Sequence, residues 1–390
     1  MNSVYCEKDK CCGCTACCNI CPKSAISMVE DYQGFLYPKI DKSLCIDCGL
    51  CTSVCQFAKP EIVNPSDTVY CYALKHKNIK IIEKSRSAGA FTAFSDYVLG
   101  NNGIVYGVAF DNNFFVRHQR ASTTFQRDLF RESKYVQSFL GMIFADIKKD
   151  LKENKLVLFS GTPCQCDGLR AYLLKCGLKL DNLILMDLVC HGVPSPKMFS
   201  EYIEWNEKKY KSKIVDFRFR DKKKYFWGDG IERLTFQNNK KVYQDYFTGS
   251  CFDLFIRPSC YNCKYTTVYR NSDISIADFW GVEKVCPSFF DRKNGCSLVI
   301  LHTAKGNSLF NNIRSDVFAE NVSYKYCLQP NLQHPRVKPN YIDSYWCDYK
   351  KFGFDFILKK YFKNNVTYFY TYKRKLLSLA KSFLSFIRGR

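Results

Sequence analysis

The sequence predicts an α+β protein in three parts: a small cysteine-rich N-terminal domain, a larger mixed α/β domain, and a basic C-terminal helix. Three observations carry this reading. Residues 11–21 and 45–55 repeat one cysteine spacing. From Val69 to Lys209, short apolar runs alternate with segments of helical periodicity, and beyond Ile214 the apolar runs shorten. Residues 351–390 hold ten Lys or Arg against one acid, Asp355.

Composition bounds the answer. A chain of 390 residues corresponds to two or three domains at roughly 100–200 residues each. With 46% apolar and 24% charged residues, the balance is that of a globular protein and excludes wholesale disorder. The net charge of +21 by itself suggests nucleic acid or anionic lipid. No helix-turn-helix, RNA-binding or zinc-finger pattern accompanies it, so nucleic acid is not expected. The 23 cysteines are more telling. The N-terminal stretch MNSVYCEKDKCCGC lacks an apolar export region, and no run of ~18 apolar residues occurs. The expectation is therefore a cytoplasmic chain, where disulfides are rare and many cysteines read as metal ligands or redox centres.

The first element carries the strongest signal. Cys11, Cys14, Cys17 and Cys21 fit C-x2-C-x2-C-x3-C followed by Pro22, and Cys45, Cys48, Cys51 and Cys55 repeat that spacing. This duplication resembles the bacterial-type ferredoxin with two 4Fe-4S clusters, so residues 1–60 are read as a ferredoxin-like two-cluster domain. Three cysteines at two-residue intervals wrap one cubane, and the fourth is carried to the other. Cys11, Cys14, Cys17 and Cys55 then hold one cluster, and Cys45, Cys48, Cys51 and Cys21 the other. The intervening AISMVEDYQGFLYPKID reads as strand, turn, strand. Zinc ribbons also use C-x2-C pairs, but zinc does not account for two matched quartets. Cys14, Cys18 and Cys21 fit the radical S-adenosylmethionine motif C-x3-C-x2-C, which leaves the second quartet unexplained. Cys12 and Cys18 compete as ligands. Gln56 stands where the second motif usually has proline. Two clusters in series make a one-electron conduit whose endpoint lies elsewhere.

The following elements are read in order. Lys59–Asp67, with two prolines, is a linker. Strands are expected over 69–74, 104–110, 156–160 and 183–189, with helices over 88–99, 136–151, 165–175 and 196–209. This alternation predicts a largely parallel sheet. Shorter strands over 214–220, 231–236, 273–277 and 298–302 suggest an α+β second part. Two strands run into cysteine turns, Gly161-Thr162-Pro163-Cys164 and Cys190-His191-Gly192. Ligands bind outside the carboxyl ends of strands in open α/β sheets. With the C-x2-C hook of Cys260 and Cys263, these make four thiols that read as a third 4Fe-4S cluster. The competing reading has Cys164 and Cys190 as small buried residues and Cys260 and Cys263 on zinc.

Four segments in order, SGTPCQ (160–165), DLVCHGVPS (187–195), RPSCYNCKY (257–265) and RNSDISIADFWG (270–281), resemble the coenzyme F420 hydrogenase/dehydrogenase beta-subunit family. SKYVQS (133–138) is similar to a further family segment. The resemblance covers roughly residues 66–345. It implies FAD and a 4Fe-4S cluster in the large domain, the latter on Cys164, Cys190, Cys260 and Cys263. Where the family tends to have S-G-G, this chain has Ser87-Ala88-Gly89; small residues opening a helix suit a phosphate, while a Ser at a helix start also reads as a plain cap. Lys134 and Tyr135 read as phosphate and ring contacts of the flavin, against a solvated Lys beside a core Tyr. Arg270, Asp273, Asp278 and Trp280 read as orienting the cofactor, against a plain buried ion pair. His191 reads as a proton carrier, since histidine titrates near neutrality; the alternative is a hydrogen-bonded structural residue. Most of the eleven remaining cysteines read as buried small residues.

In the tail, Leu376, Leu377, Ala380, Phe383, Leu384 and Ile387 recur at helical spacing among Lys and Arg. Such a helix suits an anionic membrane surface, which would make the chain peripheral on the inner face of the membrane; alternatively it docks on the protein. The domain boundaries expected are 1–60, 66–345 and 351–390. The function expected is an iron–sulfur flavoprotein oxidoreductase relaying electrons between ferredoxin-type clusters and FAD for two-electron chemistry on a deazaflavin-like coenzyme or a polysaccharide-pathway substrate. The alternative is a pure electron-transfer subunit docking to a redox partner, a ferredoxin or dehydrogenase subunit.

Overall fold

The computed structural model describes residues 7–58, 69–249 and 252–362. The linker Lys59–Asp67 and the helix expected around Leu376–Ile387 lie outside the described residues.

The N-terminal domain is a hairpin, β1 (Ile26–Glu30) and β2 (Leu36–Ile40), flanked by the short helices Ala16–Ile20 and Leu50–Ser53. The cysteine repeat is also a repeat of backbone conformation. Gly13 and Asp47, each just before the second cysteine of its motif, have φ of 69° and 50°. Thr15 and Gly49, each just after it, have φ of 62° and 71°. A left-handed threonine and aspartate are costly on their own. Their occurrence at matched positions marks the tight loop that turns three sulfurs toward one side.

The large domain is built on an eight-stranded sheet in the order β13-β3-β12-β11-β7-β6-β4-β5. Its strands are β3 (Tyr70–His76), β4 (Ile104–Phe110), β5 (Val116–Ala121), β6 (Val157–Gly161), β7 (Leu183–Leu188), β11 (Ile274–Asp278), β12 (Ser297–Leu301) and β13 (Val317–Val322). The central run β4-β6-β7-β11 is parallel. Val157, Leu158 and Phe159 of β6 are all fully buried, as expected for a parallel strand covered on both faces. The helices Ala90–Gly100 and Ala304–Asn312 pack on one face, and Ile143–Lys152 and Pro163–Lys175 on the other. A separate antiparallel sheet, β8 (Ile214–Arg218), β9 (Glu232–Phe236) and β10 (Lys241–Gln244), packs with the helix Pro196–Tyr210.

Three expectations need correction. The helix expected over 136–151 begins at Ile143, because Gly141 turns left-handed and Phe139 bridges to Arg117 of β5. β11 and β12 belong to the main sheet rather than to a separate second part. The basic segment from Lys351 is not all tail: the helix Phe354–Tyr361 buries Ile357 and Leu358 against the Pro196–Tyr210 helix.

The N-terminal domain is docked on the large one. Ala16 and Val54 are buried among the side chains of Ile143–Lys152 and Pro163–Lys175. A Cβ on Gly168, in the middle of the latter helix, would meet Cys14 Sγ at 2.8 Å and Gln56 Nε2 at 2.9 Å. Glycine costs a helix interior about 0.5–1 kcal/mol relative to alanine, and here it lets Cys14 approach the helix.

Candidate redox site

The structure gathers the cysteines in three sets. Cys21 lines one hollow with Cys45, Cys48 and Cys51, so the last cysteine of the first motif joins the second motif. Cys17 is pushed up by burial and then by its neighbours Cys14, Cys11 and Cys55, which places those four together. Cys164, Cys190, Cys260 and Cys263 line a second hollow. Burial, then the mutual proximity of Cys190, Cys263 and Cys164, holds the Cys260 thiol well above its ordinary range. Burial likewise raises Cys190 to about 12 and Cys263 to about 11, with Cys164 adding to both. Among the described residues, no group of three or more His, Cys, Asp or Glu is arranged around a single point for one metal ion; the thiols border hollows. Thiols packed this closely favour a bound cationic centre that stabilises the thiolates.

Cys12, assigned to no quartet, lies between two of them. Its thiol is in hydrogen-bond contact with both Cys14 and Cys164, and those contacts, more than burial, push it up. Cys164 is correspondingly lowered, first by the Cys12 contact. Gln56, the departure from the usual proline, donates from Nε2 to the Cys164 carbonyl at 2.6 Å and accepts from Tyr265 Oη. Tyr265 Oη, with one proton to give, also lies 2.6 Å from Asp167 Oδ2. The missing proline was the one local signal of this contact; Cys12 gave none beyond its type.

A larger cavity of about 230 Å³ lies beside the third thiol set, over the carboxyl ends of the parallel strands. Cys190, His191, Gly192 and Thr162 line both spaces. Of the residues expected at a flavin, Ser87, Gly89, Lys134, Tyr135, Asp278, Trp280 and His191 all line this cavity. Their roles differ from the expectation in places. The Ser87 hydroxyl donates to the Cys296 carbonyl at 2.7 Å and is not a helix cap. The helix starts at Ala90 after Gly89, whose φ is 93°, and no side chain caps its first turn. Lys134 is half-buried, desolvation lowers its pKa to about 8, and its ammonium donates to the carbonyls of Leu129 and Arg131. Asp278 accepts from Arg86 at 2.6 Å and from Trp227 Nε1 at 3.1 Å, and Trp280 stacks on Trp227 with centroids 4.2 Å apart.

His191 does not titrate near neutrality. Packing, then Arg220 and Arg336, lowers its pKa to about 4. His191 is an exposed residue, so water tempers the shift, but two guanidinium groups fix its direction. The ring is therefore neutral at pH 7.

Arg270 and Asp273 lie away from this cavity. Arg270 is buried with its guanidinium on Asp187, 3.3 Å, and on the Thr267 carbonyl, 2.9 Å. It faces the third thiol set, lowering Cys190 and Cys263 against their burial. Asp273 precedes β11 and sits at the strand's opposite end, where it accepts from the Leu185 amide at 2.8 Å and the Thr303 hydroxyl at 2.7 Å.

The cavity has the inventory for an anionic, ring-bearing ligand. Arg86 and Arg131 line it, as do the uncapped helix start and the aromatic rings of Tyr135 and Trp280. Two buried polar atoms among its lining residues, Thr92 Oγ1 and Arg131 Nε, have no partner among the described residues. Buried polar groups are normally satisfied, so these fit a phosphate-bearing occupant. Among the described residues no helix is long and apolar enough to cross a membrane.

Residues 154–352 match the family model for the C-terminal part of the coenzyme F420 hydrogenase/dehydrogenase beta chain, and residues 10–59 match that of a 4Fe-4S dicluster domain. A chain in a solved structure, the xenon-derivatised F420-reducing [NiFe] hydrogenase complex from Methanosarcina barkeri, is similar at 16% identity, over 74% of this chain and 90% of that one, with a TM-score of 0.46. No curated protein matches. With its two-cluster domain docked on the family's C-terminal domain, the chain is an iron–sulfur electron-transfer protein that belongs to the coenzyme F420 hydrogenase/dehydrogenase beta-subunit family.

Proposed function

We propose that this chain is an iron–sulfur flavoprotein oxidoreductase, with a third 4Fe-4S cluster on Cys164, Cys190, Cys260 and Cys263 and FAD in the adjoining cavity. The observation that carries the reading is the shared wall: Cys190, His191 and Gly192 border both the thiol-lined hollow and the cavity. Electrons would enter at Cys21, Cys45, Cys48 and Cys51, pass the set on Cys11, Cys14, Cys17 and Cys55, and reach the large domain where Cys12 touches Cys14 and Cys164. Residues 1–60 then act as the conduit and residues 66–345 as the unit that holds the endpoint. A flavin accepts single electrons from clusters and passes them on in pairs, as a hydride, to a two-electron acceptor such as a deazaflavin.

The chain's own residues supply position and charge. The uncapped start of the Ala90–Gly100 helix, with Arg86 and Arg131, suits the diphosphate. Tyr135 and Trp280 suit the ring. Asp278 fixes Arg86 and, through Trp227, the tryptophan stack. Neutral His191 at the shared wall is an acceptor or donor by tautomer, without a charge that would compete with the clusters.

An exposed rim favours a protein donor. Cys48 is exposed, and Leu44 and Ile46 beside it are 51% and 58% exposed. Apolar, exposed side chains around a redox centre suit a transient partner of the ferredoxin or dehydrogenase kind.

Anaerobic purification followed by iron, sulfide, zinc and flavin content on one sample tests the reading. About twelve irons and one FAD per chain are expected. About eight irons with zinc and no flavin would overturn it and leave a conduit docking to a partner enzyme.

A further inference from the structure

Arg257 occupies the seam between the two domains and is fully buried. Its Nε donates to the Cys11 carbonyl at 2.6 Å and its Nη2 to the Leu36 carbonyl at 2.9 Å. Its Nη1 donates to Gln137 Oε1 at 2.9 Å. Nη2 also points at Cys11 Sγ, 3.6 Å away. The guanidinium lies over the Tyr37 ring, 4.3 Å from its centroid. A Cβ on Gly13 would meet Nη1 at 2.9 Å, so the first cysteine loop is shaped around this side chain. Among the described residues its hydrogen-bond partners are carbonyls, an amide oxygen and a thiol, with no carboxylate. The groups that hold its charge against burial are Cys11, Tyr37, Cys12 and Cys260.

A buried cation is costly unless an anion nearby offsets its desolvation. The anions within its reach are cysteine sulfurs of two different sets: Cys11 belongs to the N-terminal one, and Cys260 to the large domain's. Reduction adds a negative charge to a thiolate-held cluster. A fixed cation alongside stabilises the reduced form and raises the potential.

We propose that Arg257 is a positioning residue that serves as the shared buried counter-cation of the centres on Cys11, Cys14, Cys17, Cys55 and on Cys164, Cys190, Cys260, Cys263, keeping both reducible relative to the outer centre on Cys21, Cys45, Cys48 and Cys51. The step it governs is one-electron: the outer centre is oxidised as the inner one is reduced, with no bond made or broken. The inference rests on the cluster reading given above.

The test is an EPR-monitored redox titration of the anaerobically purified full chain and of three variants, with iron content read first. Arg257→Met removes the charge, Arg257→Lys keeps it, and Gln137→Glu places a carboxylate against Nη1 while leaving the arginine in place. Arg257→Met and Gln137→Glu are expected to lower the inner midpoints by about 59 mV or more, a tenfold change in a one-electron equilibrium. Arg257→Lys is expected to shift them less, and the outer midpoint is expected to stay put in all three. If Arg257→Met fails to take up iron, Gln137→Glu decides. Unmoved inner midpoints, or an equal shift of all centres, with wild-type iron content would overturn the inference and leave the cluster reading standing. Absent iron in the wild-type chain would overturn both.

Discussion

Gln56 donates a 2.6 Å hydrogen bond to the backbone carbonyl of Cys164 across the domain seam. The two residues are 108 apart in sequence. The same amide accepts from Tyr265, which also holds Asp167, and the Gln56 carbonyl accepts from Lys264 Nζ at 2.7 Å. One residue of the small domain thus ties together the helix start that carries Cys164 and the segment that carries Cys263.

Gln56→Leu leaves the Cys164 carbonyl and the Tyr265 hydroxyl without that partner inside the seam. The expected cost is about 1–3 kcal/mol, the penalty for buried polar groups stranded by removal of one side. Chemical denaturation of the holoprotein checks it. An unchanged midpoint would mean that water replaces the amide at no cost.

Gly168→Ala gains helix propensity, about 1 kcal/mol in an ordinary interior. Here the new methyl meets Cys14 Sγ at 2.8 Å and Cys14 Cβ at 2.9 Å. Overpacking of this kind costs about 1–3 kcal/mol, so a net loss of stability is expected, together with reduced iron in the purified protein. A more stable variant with full iron would show that the seam yields freely.

Arg86 holds Asp278 at 2.6 Å and reaches Tyr135 Oη at 3.2 Å in the cavity wall. Arg86→Met is expected to weaken flavin retention about 10-fold to 100-fold, from the loss of charge-assisted hydrogen bonds worth about 1.5–3 kcal/mol. Iron content is expected to stay at the wild-type value. Flavin released on denaturation of the desalted protein is the readout; equal flavin in both proteins would place the ligand elsewhere.

Acid is expected to destabilise the fold through its histidines. Burial lowers His118 to about 4 and His302 to about 3, and His191 is lowered to about 4. Each is neutral when folded, while the unfolded chain takes up protons below about 6.5. Stability is therefore complete above that value and falls as pH drops toward the folded values. Glu232 works the other way: burial lifts it to about 7, so it contributes more as pH falls. Burial raises Glu132, Asp187 and Asp245 as well, so the histidine contribution is read by comparison: between about pH 7 and 5.5 the thermal midpoint of the wild-type chain should lose more than that of His118→Gln. Parallel profiles would contradict this.

The cysteine repeat was legible because ligand spacing is local: loop geometry and side chain lie within seven residues of each other. The central strands were legible for a similar reason, since Val157-Leu158-Phe159 is an uninterrupted apolar run. β5 and β13 were not, because Val116–Ala121 and Val317–Val322 are edge strands whose polar residues alternate or cluster on an exposed face. The cavity residues were named through family segments, which specify a residue but not the strand end it occupies. Asp273 and Asp278 therefore read as one group, although they lie at opposite ends of β11, Asp273 just before its first residue. The seam was illegible. Arg257 and Cys11 meet across 246 residues, and neither residue's neighbours in sequence mark the contact.

On the proposed reading, the large domain holds its own cluster beside a flavin. The direct measurement is iron and flavin content of Cys263→Ser against the wild-type chain, with EPR of the reduced protein and the rate at which a reduced protein donor bleaches the flavin. The expected result is a fall from about twelve irons to about eight, retained flavin, intact signals from the N-terminal centres, and flavin reduction slowed by at least tenfold. Equal iron in both proteins, with unchanged flavin reduction, would contradict it.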